Sequence, residues 1–399
     1  MAVAVIKKPT LRYGFVLAFA FIISSIKPAY AEDYSVLQGY THAFNNSVTV
    51  YSTVFALNKD VSLDTSTYFK YNIDMINPGS SGDGGGDSVK ATSGASSAST
   101  AGGSSAKDTR HALTAGFSHN FSNIIGLDAY YDYSKERDYT SNTPTISLKK
   151  DLFDKNTTLT AGYSRNTDKI SGQFLDQRGE RKTDNYFVGV TQVISPETVA
   201  QLGYSKNISY GLESEGIRLV PIDGALASSC TAKSATCVNE KFPGSRQRKA
   251  YIFNVNHWLA HEGFGDLFKR GSFKLGLRYY EDDWGITSHT SEFEYNKYLS
   301  DDTVLRLGYR YYTQSKAYFV KDTYVSSDYF KVSSPQLEEF DTHLTGIKLI
   351  RRLGNDTSPE GSRLFSDVFA SSIEGKYEFY NESTGVVAHI VMAGLRFTF

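Results

Sequence analysis

Charged side chains of both signs recur at alternate positions in three consecutive stretches between residues 272 and 316. Successive side chains of a strand point to opposite faces, so charges two positions apart share a face. On such a face, guanidinium and carboxylate groups can form cross-strand ion pairs or line a passage for polar solutes. The candidate residues are Arg278, Glu292, Glu294, Arg306 and Arg310.

The intervening positions of the same stretches are apolar or aromatic, as Leu277, Phe293 and Leu307 illustrate. Exposing Arg or Lys to lipid near the midplane of a membrane costs about 2–4 kcal/mol. We therefore expect the charged face to point into a barrel and the apolar face to contact lipid. By the same alternation, further charges of both signs are predicted to point inward, namely Lys70, Asp74, Asp128, Asp132 and Arg396.

Two interpretations of the inward charges remain open. A register that places Glu292 opposite Arg310, or Glu294 opposite Arg306, would form a ladder of ion pairs that stiffens the wall. Alternatively, the opposed charges would form a constriction that orients a passing solute. If they form such a constriction, its lining of positive and negative charges predicts weak ion selectivity.

An acidic turn, Glu281-Asp282-Asp283, precedes Trp284 and Gly285. It can be interpreted as a solvated turn with the tryptophan at a membrane interface, or as a cation or ligand site at the mouth of a pore. The sequence predicts no catalytic residue, because neither His289 nor His389 has a serine and an acid at spacings typical of an acyl-transfer triad.

No cofactor or metal site is predicted either. The Gly- and Asp-rich run at 82–87 holds two carboxylates without the bidentate glutamate of a calcium loop. The two cysteines, Cys230 and Cys237, are separated by a spacing that is not typical of metal ligands, and export would place them where disulfides persist. We therefore expect a local disulfide.

The N-terminus has the pattern of a secretory signal. Lys7, Lys8 and Arg12 precede an apolar run of about ten residues, too short to span a membrane. Ala29-Tyr30-Ala31 fits a cleavage site, which predicts a signal peptide over 1–31 and a mature chain over 32–399. A net charge of −1 implies no nucleic-acid partner.

The C-terminal residues alternate between an apolar and a more polar face, which predicts a final strand from about 385 to 399. In a closed barrel the last strand pairs with the first, so no edge remains. Gly394, Phe397 and Phe399 also match the spacing of the C-terminal insertion signal of outer-membrane barrels. Barrel-assembly machinery and outer-membrane lipid are therefore expected partners.

About sixteen strands are predicted in total. Numbered along the chain, the long connections fall at odd positions, and the even ones are mostly short turns. Outer-membrane barrels have this asymmetry, with long loops outside and both termini in the periplasm. The long loops are predicted near 76–109, 168–182, 211–245 and 317–337.

Five stretches of the chain are distinctive: KTDNYFVGVTQVISPETVAQLGYSKNISYG from Lys182, RQRKAYIF at 246–253, GLRYYEDDWGITSHT at 276–290, YRYYTQSKAY at 309–318 and SSDYF at 326–330. Together they resemble a family of bacterial outer-membrane barrel proteins of unknown function. The resemblance covers roughly 110–399 and implies an outer-membrane barrel in a Gram-negative cell. It also implies exported redox or flavin-attachment proteins as neighbours, and it supplies no catalytic residues.

The sequence thus predicts an all-β, transmembrane antiparallel barrel with a polar interior. A barrel of about sixteen strands leaves an aqueous channel, so porin-like passage of small hydrophilic solutes is the first functional hypothesis. The second is a binding or scaffold barrel that holds an exported, possibly redox, partner protein without an open pore. An enzyme is not expected.

Overall fold

The computed structural model describes residues 33–45, 48–77, 108–121, 125–259, 269–353 and 371–398. Nearly all of the regular structure is β-strand. The strands are β1 (Tyr34–Phe44), β2 (Thr49–Ser62), β3 (Thr65–Asn77), β4 (Asp108–Phe121), β5 (Ile125–Lys135), β6 (Tyr139–Leu152), β7 (Thr157–Ile170), β8 (Gly179–Ser195), β9 (Thr198–Gly211), β10 (Leu219–Pro221), β11 (Cys237–Asn239), β12 (Ser245–Leu259), β13 (Gly271–Asp282), β14 (Thr287–Tyr298), β15 (Thr303–Gln314), β16 (Phe340–Arg352), β17 (Ser372–Glu382) and β18 (Val387–Thr398).

Sixteen of these strands close into one antiparallel barrel, which confirms the predicted fold class and strand number. Each barrel strand pairs with the barrel strands that precede and follow it along the chain, so that β9 pairs with β12, and β18 closes the barrel on β1 with Gly394 opposite Gln38. The short strands β10 and β11 form a separate two-stranded sheet between β9 and β12. Within the described residues, two short 3₁₀ helices lie at Ala227–Ser229 and Pro335–Leu337.

The strands alternate between an apolar outer face and a polar inner face. On β18, His389, Val391 and Leu395 are exposed on the outer face, whereas Ala388 and Met392 are buried on the inner face. The outer positions of the other strands form a continuous apolar belt, to which Leu277, Phe293, Leu307, Tyr309, Ile347 and Tyr377 contribute. A belt of this kind must be covered by lipid, as in other transmembrane barrels.

Histidines paired with aromatic or hydroxyl side chains mark both borders of the belt. His111 and His119 lie near opposite ends of β4, roughly 27 Å apart along the strand at about 3.4 Å per residue. At a strand tilt of about 40° this corresponds to roughly 21 Å along the barrel axis, close to the height of an outer-membrane belt. The hydrogen-bonded pairs are Tyr71–His111, Tyr309–His343 and Tyr377–His389 at one border, and Thr65–His119 and Thr198–His257 at the other.

The described connections differ in length between the two ends of the barrel. The end that carries the chain termini has tight turns at 63–64, 153–156, 196–197 and 299–302. The opposite end carries the longer connections 171–178, 212–244 and 315–339. The first of these is shorter than the predicted loop 168–182, because the ladder continues through the pairing of Asp168 with Arg181.

The two longest described connections, 212–244 and 315–339, are folded. Residues 212–244, 283–286 and 315–339, which we call the loop cap, share an apolar core. Trp284 lies in this core and is only 3% exposed, so the interpretation of Trp284 as a membrane-interface residue is wrong. Its turn is covered by the two long loops. The other tryptophan, Trp258, lies at an inner-face position of β12, opposite Ser272, and contacts Tyr298 near the terminal end.

Some sequence predictions fall outside the described residues. They are the signal peptide at 1–31, all but the ends of the loop at 76–109, and Phe399 of the insertion signal. Within the residues that the structure does describe, no helix is long and apolar enough to cross a membrane.

Candidate functional site

The five candidate charges all point into the barrel. The ladder pairs Glu292 with Arg310, and the side-chain N–O distance between them is 3.2 Å. Arg306 is paired in the ladder with Asn296 and reaches diagonally to Glu294 at 3.4 Å. These contacts arise because the charged positions of β14 and β15 share the inner face.

The inward ion pairs remain accessible to water. The side chains of Arg310 and Glu292 are 48% and 50% exposed, and those of Arg306 and Glu294 are 38% and 31% exposed. Exposed pairs of this kind contribute little to stability. Their solvation indicates room for water along this wall of the barrel.

A cavity of about 490 Å³ lies along the inner face of β1, β2 and β3. Its lining combines aromatic, amide and charged groups, among them Tyr40, Lys70 and Asp74. The predicted inward charges Lys70 and Asp74 therefore border free space. Asp128 is engaged by Lys149 of the neighbouring strand at 2.7 Å.

A second polar network crosses the seam where the barrel closes. Glu374 on β17 pairs with Lys348 at 2.5 Å and accepts a hydrogen bond from Gln38 of β1 at 2.5 Å. Gly394 lies between β1 and β17, and a Cβ atom there would come within 2.7 Å of the Glu374 carboxylate. Gly394 therefore has a structural role besides its place in the predicted insertion signal, because it leaves space for this bridge.

Arg278 lies on the inner face of β13, closer to the loop cap than the Arg306–Glu294 pair. Its guanidinium is 5.3 Å from the ring centroid of Tyr280. Next to it, Arg246 pairs with Asp282 at 2.5 Å and stacks over Trp284 at 4.3 Å. The inner face near the loop cap is therefore rich in arginine.

The three acids of the predicted acidic turn have different environments. Asp282 is completely buried and accepts hydrogen bonds from Arg246 and from the backbone N–H groups of Trp284 and Ile286. Asp283 accepts a hydrogen bond from the backbone N–H of Gln247. Glu281 points outward and pairs with Lys249 at 3.2 Å. Protein groups thus hold Asp282 and Asp283, so the interpretation of this stretch as a solvated turn is wrong for Asp282.

The loop cap folds over the mouth of the barrel. Inward-facing Tyr280 packs against the core of the cap, and inward-facing Gln314 donates hydrogen bonds to the carbonyls of Gln336 and Glu338. A third inward residue, Arg248, lies 4.0 Å from Glu213 of the cap. Contacts from several strands therefore fix the cap to the inner wall.

Backbone hydrogen bonds join the two long loops of the cap. Lys241 and Lys331 exchange N–H···O bonds at 2.7 and 3.1 Å. Beside them, the backbone N–H of Ser333 donates to Glu240 at 2.9 Å. Burial raises the pKa of Glu240 to about 7.

Cys230 and Cys237 form a disulfide within residues 212–244. Both cysteines are buried in a small cluster with Leu219, against which Phe174 of the neighbouring connection packs. The disulfide therefore closes a short loop that ends at β11 within the loop cap.

Sequence reasoning missed three groups of residues. The seam network and the Arg246–Asp282 pair could have been found from the alternation of inward and outward positions along each strand. Their members occupy inward positions of strands that lie close together in the barrel. The folded core of the loop cap had no periodic signal, since its apolar residues are scattered over irregular segments.

The chain matches a family model described as "Protein of unknown function (DUF3570)" over residues 27–177 and 171–362. No curated protein matches the chain.

Several solved barrels are similar in structure at low identity. OpdK of Pseudomonas aeruginosa, solved with vanillate, has a TM-score of 0.41 and 7% identity, with 92% of this chain and 98% of that chain covered. A loop-deletion mutant of the Vibrio cholerae outer-membrane protein OmpT has a TM-score of 0.43 and 9% identity, with 92% of this chain and 98% of that chain covered. The P. aeruginosa siderophore receptor PirA has a TM-score of 0.41 and 8% identity, with 94% of this chain and 81% of that chain covered. At these scores the similarities say nothing about a solute of this chain.

Proposed function

This chain belongs to the family described as protein of unknown function DUF3570, and we propose that its barrel passes small hydrophilic solutes through an outer membrane. The observation that carries the proposal is the solvation of inward charges in a closed barrel of sixteen strands. A barrel of this size has an interior wide enough for water. The apolar belt supports insertion in lipid.

The proposed orientation places both termini in the periplasm and the loop cap outside the cell. Outer-membrane barrels keep short turns on the periplasmic side and long loops on the outside. The tight turns at 63–64 and 196–197 lie at the terminal end, and the cap lies at the other end. Solutes would enter beside the cap and then meet the Arg310–Glu292 pair.

The lining favours weak selectivity between cations and anions. Ion pairs such as Arg310–Glu292 and Arg306–Glu294 present both signs to a passing solute at the same depth. Removing one member of a pair would leave the other charge uncompensated and would bias the passage toward counterions.

Single-channel conductance of the refolded mature chain in a planar bilayer tests this function. We expect steady conductance with little ion preference in the unmodified protein. Glu292→Gln should shift the permeability ratio toward anions by roughly twofold, because Arg310 then faces the lumen unpaired. Glu281→Gln is the matched control: it breaks a pair of the same 3.2 Å length on the outer face and should leave the ratio unchanged.

A variant lacking residues 80–105 distinguishes an open passage from a plugged one. Conductance only in this deletion would identify the segment as a plug. Silence from both correctly refolded proteins would contradict passive passage and would direct the search to a partner protein held in the lumen.

A further inference from the structure

Three carboxylates meet at the end of the barrel that carries the loop cap. Asp108 is the first residue of β4, and Glu136 and Asp138 belong to the turn between β5 and β6. One carboxylate oxygen from each lies within 4.8 Å of the others. The ladder places them together: His111 pairs with Lys135, so the start of β4 runs beside this turn.

The cluster is buried, and two of its oxygens have no hydrogen-bond partner among the described residues. Asp108 is 5% exposed and Asp138 is 9% exposed. One oxygen of Asp108 accepts a hydrogen bond from the backbone N–H of Thr109 at 2.8 Å. The other oxygen of Asp108, and Oδ1 of Asp138, have no hydrogen-bond partner within the described part of the chain. A buried carboxylate oxygen without a partner is costly, which points to a ligand that satisfies it.

Arg110 lies close to two carboxylates. The Nε atom of Arg110 is 3.7 Å from Glu136, and the same guanidinium also lies 3.4 Å from Asp74. Its charge is therefore shared between two carboxylates.

The geometry of the turn is fixed by the backbone. The carbonyl of Asp138 accepts hydrogen bonds from the N–H of Ser171 at 2.8 Å and from its hydroxyl at 3.2 Å. The site is therefore held from three sides, by β4, by the β5–β6 turn and by the connection after β7. Because the turn is held, its carboxylates cannot separate freely to relieve their repulsion.

We propose that Asp108, Glu136 and Asp138 bind a calcium ion. The donors are carboxylate oxygens only, which suit a hard divalent cation rather than zinc or copper. Calcium accepts irregular oxygen geometry, whereas magnesium requires a near-ideal octahedron and keeps several waters. The burial of Asp108 and Asp138 leaves little room for those waters. The ion would fasten the start of β4 to the adjacent turn, independently of solute passage.

Calorimetric titration with calcium chloride tests the site in the refolded mature chain, in detergent free of lipopolysaccharide and after treatment with EGTA. We expect about one calcium ion per chain. Asp108→Asn and Asp138→Asn should each weaken binding at least roughly tenfold. Asp176→Asn is the matched control: Asp176 lies in the connection after β7 and pairs with Lys233, outside the cluster, and its loss should not change binding.

Absence of a calcium signal in the unmodified protein, or equal binding by all three variants, would overturn the proposal. Equal affinity for magnesium chloride would overturn the assignment of calcium. If the two cluster variants fail to refold, thermal unfolding of the unmodified protein tests whether calcium binds. A higher unfolding temperature in millimolar calcium than in EGTA supports the site, and an unchanged temperature contradicts it.

Discussion

Among single residues, Asp282 shows how much one side chain can organise. It is the last residue of β13, and its buried carboxylate accepts hydrogen bonds from a guanidinium, a phenol and two backbone N–H groups. The neighbouring Glu281 makes one exposed ion pair on the outer face. The two acids are adjacent in the sequence, but strand alternation places them in opposite environments.

Asp282→Asn should therefore destabilise the protein strongly. Breaking a buried ion pair from one side leaves an uncompensated charge, here Arg246, at a cost of about 3–5 kcal/mol. Equilibrium unfolding in detergent micelles, followed by tyrosine and tryptophan fluorescence, measures the difference. Glu281→Gln should unfold like the unmodified protein, and equal destabilisation by both variants would contradict this assignment.

Among the larger elements, the loop cap joins irregular segments through one buried core and a few backbone hydrogen bonds. Trp284 is central to it, stacked on Phe242 and in edge contact with Phe319. The buried Glu240 accepts the N–H of Ser333 across the two long loops. The cap is thus a folded unit whose stability depends on a buried acid.

The stability of the cap should depend on pH through Glu240. Its pKa is raised to about 7 in the folded protein from its ordinary value of 4.5. Between these values the folded state binds more protons than the unfolded state, so stability falls as pH rises from about 4.5 to about 7. Above pH 7 the loss is complete.

Limited proteolysis of the cap between pH 4.5 and 8 measures this effect. Cleavage within 212–244 and 315–339 should increase through the lower part of this range in the unmodified protein. In Glu240→Gln, which mimics the protonated acid, cleavage should stay nearly constant. A variant with the same pH profile as the unmodified protein would exclude Glu240 as the cause.

Across the whole molecule, successive side chains of each strand alternate between the face that contacts lipid and the face that lines the aqueous lumen. Adjacent residues in the middle of β15 illustrate it. Leu307 is exposed on the apolar belt, whereas Gly308 faces the lumen and has open space where a side chain would begin. The same substitution at these two positions should therefore have opposite consequences.

Leu307→Arg should destabilise the barrel by about 2–4 kcal/mol, because it exposes a charge to lipid near the midplane. Gly308→Arg should fold normally and reduce single-channel conductance, because its side chain enters the lumen. Unfolding in lipid vesicles and conductance in planar bilayers measure the two effects. Normal stability of Leu307→Arg would show that this face does not contact lipid.

The barrel itself could be predicted from the sequence. Alternation with a period of two, strong on β13, β14, β15 and β18, depends only on which side chains lipid and water accept. It was therefore readable from residues such as Leu277 and Arg278 without knowing any contact. The even number of strands and the asymmetry of the loops followed from the same pattern and the spacing of turns.

The packing of irregular segments and the proximity of distant strands required the folded molecule. The buried position of Trp284 arises from loops distant in the chain, and no local pattern encodes such contacts. Likewise, the Asp108–Glu136–Asp138 cluster forms because the ladder register brings the start of β4 to the β5–β6 turn. Register depends on the sum of pairing across whole strands, so it appears only when the barrel is closed.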